Sequence, residues 1–102
     1  MGKYVLAYKG AVEESTPEET EAWMATWVQW FGDLGEAVID GGAPFGPSTA
    51  LAADGSRGDT TAALTGFSVL RADSLEAAAA MAKGCPVLSR GGRVEVYETI
   101  DM

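Results

Sequence analysis

The chain contains no histidine. That absence rules out Ser-His-Asp and Cys-His catalytic sets. It also removes the commonest metal ligand and the one side chain whose ordinary titration falls near neutral pH. Cysteine is nearly absent too: Cys85 stands alone, so no disulfide can form within the chain. A reducing, cytoplasmic compartment is the simplest expectation. One cysteine with no histidine leaves only scattered carboxylates as ligands, so neither a metal nor another cofactor is expected. Basic residues are scarce, with 7 Lys plus Arg against 15 Asp plus Glu and a net charge of -8. Such a surface repels phosphate, and no basic stripe offsets it, which argues against nucleic acid and anionic membrane as partners. The acidity reads first as a solubility device. Long apolar runs are missing as well. The longest, Ala77 to Ala82, is far too short to span a bilayer. Met1-Gly2-Lys3-Tyr4 leads into a strand pattern without an apolar leader segment, so no signal peptide is predicted. The glycine-rich stretches lack both nucleotide-loop spacings.

What is present is an apolar fraction of 47% in 102 residues. That is enough for an independent core and argues against disorder. Residues 1–102 read as a single domain. Lys3 to Lys9 is rich in β-formers and closed by Gly10, a strand apolar on both faces. Ser15-Thr16-Pro17-Glu18-Glu19 is a helix start, with Thr16 as cap, Pro17 as first helical residue and Glu19 completing a capping box. The helix should reach Leu34 and stop at Gly35. Trp23, Trp27, Trp30, Phe31 and Leu34 then form one apolar stripe.

Glu36 to Asp40 reads as a short strand ended by Gly41-Gly42, followed by a stiff loop, Ala43 to Pro47. Residues 48–53 suggest a weak strand, and 54–63 a flexible loop or hairpin tip. Leu64 to Ala72 is a strand. Asp73 is the expected cap of a second helix carrying the alanine run, with Gly84 stopping it and Pro86 preventing its return. Gly92 to Ile100 alternates as the last strand. The order predicts an α+β, ferredoxin-like βαββαβ sandwich: an antiparallel sheet with two helices on one face. Tyr4, Tyr8 and Tyr97 would otherwise be exposed on the open face. A second copy of the sheet is the simplest cover, so a homodimer is expected.

Read in order, several segments resemble the YCII-related family. They are Tyr4 to Tyr8, Trp27 to Phe31, Asp40 to Pro47, Leu64 to Ser68, Ala72 to Ala78, Lys83 to Pro86 and Val94 to Glu98. The resemblance implies a ferredoxin-like protomer paired into a dimeric α+β barrel, with a cleft between helix and sheet. Some members of that family carry a His-Asp pair in the cleft and are regarded as enzymes. Without histidine the pair cannot be carried over, although Asp40 is a candidate for the family's acidic position.

The candidate pocket residues are Tyr8, Trp27, Trp30, Phe31, Asp40, Pro44, Phe45, Phe67 and Tyr97. Aromatic rings at helical spacing can line a pocket for a flat ligand, but the same spacing is the ordinary signature of a core. Asp40, before a Gly-Gly pair, reads either as a general base or as a turn carboxylate accepting backbone hydrogen bonds. Glu95 is the other weak catalytic candidate, sharing a strand face with Tyr97. Pro44 and Phe45 lie in a segment that is either a pocket lip or only a stiff connection. Cys85 follows a helix C-terminus and reads as a buried structural thiol. The sequence thus suggests a protein that binds a small organic ligand. The alternatives are a lyase- or isomerase-like enzyme using carboxylate or tyrosine proton transfer, and a regulatory module that docks another protein.

Overall fold

The computed structural model describes residues 2–10, 16–60 and 63–101. Four long strands, β1 (Gly2–Lys9), β2 (Val38–Pro44), β5 (Leu64–Ala72) and β6 (Arg93–Glu98), form one sheet. A two-residue pair, β3 (Ala50–Leu51) and β4 (Arg57–Gly58), makes a separate ribbon. The helices are α1 (Pro17–Leu34), α2 (Leu75–Ala82) and the short α3 (Pro86–Ser89).

The sheet order is β2-β5-β1-β6, and every neighbouring pair is antiparallel. β1 and β2 therefore run the same way with β5 between them, and α1 is the crossover that joins them. β5 and β6 repeat the pattern around β1, with α2 in the connection. The result is an α+β fold compatible with the ferredoxin-like plan.

Local chemistry explains the helix ends. Thr16 Oγ1 accepts from the Glu19 N–H at 3.1 Å, and Pro17 opens α1. Gly35, at φ +58°, closes it by donating its N–H to the Phe31 carbonyl. Ser15, the first residue of that predicted helix start, lies outside the described residues. The cap of α2 is Ser74 rather than Asp73: its hydroxyl accepts from Ala77 N–H at 3.0 Å. Pro86 does more than block α2, because it starts α3.

β2 also departs from expectation. Residues Gly35–Ala37 form a 3₁₀ turn, and the strand continues to Pro44. Gly41 and Gly42 lie inside it as an irregularity in the pairing with β5. The weak strand predicted over 48–53 shrinks to β3, which pairs with β4 outside the main sheet. The expected hairpin tip lies between these strands, where Ser56 N–H bonds Asp54 Oδ1 at 2.9 Å. Of the 54–63 segment, residues 61 and 62 are outside the described ones.

The core lies between sheet and helices. Leu6 and Leu70 are fully buried there with Tyr4, Tyr8, Ser68, Ala72, Ala78 and Ala82. This corrects the expectation for Tyr4 and Tyr8. Both are under the helices, because β1 turns its even-numbered side chains that way. The opposite face carries Val5, Val69, Glu95 and Tyr97, and Tyr97 is 53% exposed. No helix among the described residues is long and apolar enough to cross a membrane.

Candidate functional site

Helix α1 lays an aromatic stripe over one end of the sheet. Trp30 alone turns fully inward and joins Leu6, Leu70 and Val87 in the core. Trp23, Trp27 and Phe31 are only half-buried. Trp27 is the hub of the stripe: its ring meets Tyr8 edge-on at 5.1 Å and Trp30 at 5.7 Å, and Trp23 and Phe31 also sit at 5.7 Å. Such tilted and edge-to-face contacts suit the ring quadrupoles.

Beside this stripe opens a cleft of about 790 Å³. Trp23, Met24, Trp27 and Phe31 line its helix side, and Tyr8 reaches it from β1. The bulged part of β2 and its continuation, Gly41 to Phe45, forms another wall, and Ala63, Thr65, Gly66 and Phe67 close the end. Phe45 and Phe67 stack with centroids 5.8 Å apart. The small residues of the β2 wall follow from close backbone approach. Gly42 has φ +77°, and a Cβ there would lie 1.7 Å from the Phe67 carbonyl oxygen.

Behind the cleft wall runs a hydrogen-bonded chain. Tyr8 O–H donates to Ser68 Oγ at 2.7 Å, and Ser68 O–H donates to the Gly41 carbonyl at 2.7 Å. The chain ties β1, β5 and the β2 bulge together, so no buried side-chain polar atom is left unpaired among the described residues. Burial raises the Tyr8 phenol above its ordinary 10.0, and the Ser68 hydrogen bond only partly opposes that. Cys85 adjoins the same phenol, and burial pushes its thiol up to about 11. Both groups stay protonated at neutral pH.

Six of the predicted pocket residues come together at the cleft: Tyr8, Trp27, Phe31, Pro44, Phe45 and Phe67. Trp30 does not line it, because helical spacing from Trp27 carries its ring into the core. The Asp40 carboxylate also stands off the cleft, bonding the Gly42 N–H at 2.8 Å. That is the turn role. Glu95 and Tyr97 lie on the opposite sheet face, 3.4 Å apart through the phenol, with Arg93 at 3.9 Å from Glu95. Strand parity separates them from Tyr8, whose partner on β6 is Val94. A cleft that faces α1 cannot include them.

Sequence reasoning left out Lys9, Gly41 and Gly42 as lining, and Ser68 as a buried polar link. Ser68 was detectable, because it occupies a core-facing position between Gly66 and Leu70 on an apolar strand. Lys9 carried no such signal. Among the described residues no group of three or more histidine, cysteine, aspartate or glutamate side chains is placed to hold a metal ion.

Compared with known protein families, the chain matches the model of the YCII-related domain over residues 3–102. No curated protein matches the chain.

Proposed function

The chain belongs to the YCII-related family, and from that premise we propose a binding protein, a homodimer whose clefts each hold a small, partly apolar organic molecule. The observation that carries this reading is the half-open aromatic cleft. Its volume of about 790 Å³ falls in the range of small-molecule pockets. Rings on its walls supply contact area, while Thr65, Lys9 and backbone groups supply the few polar contacts such sites use.

Three features support pairing. Among the described residues, no helix lies over one face of the sheet. The molecule measures 44 × 41 × 19 Å, thin for its width, and its 15.0 Å radius of gyration exceeds the roughly 13 Å of a compact chain this long. The β3–β4 ribbon, with Leu51 66% exposed, lies outside the main sheet. A second copy laid against the bare face would cover Val5, Val69 and Tyr97.

An enzymatic reading has to work through Tyr8, since the cleft takes in neither Asp40 nor Glu95. The phenol is held protonated, with its hydrogen committed to Ser68. It suits accepting a hydrogen bond from a ligand better than exchanging a proton.

Native mass spectrometry of the protein purified from its own host tests both parts. A dimeric mass that sheds a small molecule on denaturation is the expected result. A monomer at micromolar concentration would end the pairing. A protein that arrives empty and takes up no apolar probe would end the binding reading.

A further inference from the structure

The charged groups at the cleft run against the charge of the whole chain. Acidic residues outnumber basic ones 15 to 7, yet no carboxylate lines the cleft among the described residues, and its one charged lining residue is Lys9. Lys9 ends β1 beside Gly10, at the cleft mouth, and no carboxylate pairs with it among the described residues. A second cation lies close by: the Arg90 guanidinium sits 4.4 Å over the ring of Trp23, itself a lining residue. In a surface this acidic, a ring-walled site whose described lining carries a lysine and no carboxylate is an electrostatic selection. Apolar walls lower the local dielectric and make each charge count for more.

We infer that the cleft selects an organic anion, with a flat apolar body among Trp27, Phe31 and Phe67 and an acid group at Lys9. This rests on the binding reading above and names the ligand class. The acid group needs a single cationic partner at the mouth, where solvent still reaches it. The ring needs the aromatic wall. A cationic ligand of the same shape meets Lys9 and is disfavoured.

Three probes of one ring system separate the contributions: naphthoate, naphthamide and naphthylmethylammonium, titrated calorimetrically into the intact protein. Naphthoate should bind about fivefold more tightly than naphthamide, as a part-exposed ion pair allows, and the ammonium should bind weakest. Adding salt should close the gap between the first two. Lys9→Gln should erase the naphthoate advantage over naphthamide. Lys9 is exposed, so this variant keeps the fold. Equal binding of all three probes would overturn the inference and leave the binding reading standing. A naphthoate advantage that survives Lys9→Gln would overturn it as well. Binding of none of them would remove the binding reading itself.

Discussion

Helices α1 and α2 lie on the same face of the same sheet and fill the space beneath them differently. Under α2 the contact is made by alanines: Ala78, fully buried, packs with Tyr4, Ala72 and Val96, and Ala82, nearly so, joins Leu6 and Leu70. Small side chains let a helix settle closely on a sheet, and Ala78 is wholly enclosed there. Under α1 the contact is made by indoles and phenyl rings, and only Trp30 is buried. Rings of that size prop a helix away from strands whose own residues include Gly41, Gly42 and Gly66. The space left between them is the cleft. Helix composition alone therefore divides one layer into a solid half and a hollow half. The hollow half is where a ligand fits.

Removing the one buried ring of α1 should break this comparison hardest. Trp30→Ala is expected to cost about 3–5 kcal/mol, the range for deleting a large buried aromatic, read as a fall in the urea midpoint. Trp27→Ala, which removes a half-buried ring already facing open space, should cost roughly half as much. If the two cost the same, the hollow under α1 is closed in solution. Next comes the solid half. Ala78→Leu forces added volume into a filled contact and should cost about 1–3 kcal/mol, whereas Ala79→Leu on the exposed side should stay within about 0.5 kcal/mol. A harmless Ala78→Leu would mean that α2 has as much room beneath it as α1.

Much of this division was legible in the sequence. The alanine run and the Trp-Trp-Trp-Phe stripe are visible at helical spacing, and the Thr16 cap, the Gly35 stop and the span of β5 follow from local rules. What failed to show has a common physical cause, because each miss depends on a partner distant in sequence. Gly41-Gly42 reads locally as a strand end, yet it sits inside β2. Ser68 takes the Gly41 carbonyl and β5 continues the pairing. Tyr4 and Tyr8 read equally well on either face, and only the position of the helices decides. Asp73 and Ser74 are adjacent and both able to cap, and a one-residue shift in the helix start chooses between them. At the site, ring-bearing residues announced themselves while Lys9 did not. A lysine at a strand end is unremarkable until the cleft beside it is seen, among the described residues, to hold no other charge.

The solid and hollow halves meet at Cys85, in the turn between α2 and α3, where the buried thiol touches Tyr8. Its effect should be the smallest of the three and the most specific. The folded thiol titrates at about 11 against an ordinary 9.0, because burial penalises the thiolate. The folded state therefore holds its proton after the unfolded state has released it. The resulting stability is fully present below pH 9.0 and is lost as pH rises toward 11. At a pH midway between those values the loss should be about 1 kcal/mol, from the usual worth of one unit of differential titration. Urea unfolding near neutral pH and again at that midpoint, in the natural chain and in Cys85→Ala, isolates the effect. Lysines and the tyrosines away from Cys85 contribute nearly equally to both proteins, and burial alone already raises the Tyr8 phenol in both folded states, so the difference between them reports chiefly the thiol. The natural chain should lose about 1 kcal/mol more than the variant over that step. Identical losses would mean that water reaches Cys85. The seam between the two halves would then be open, and the hollow would extend under α2.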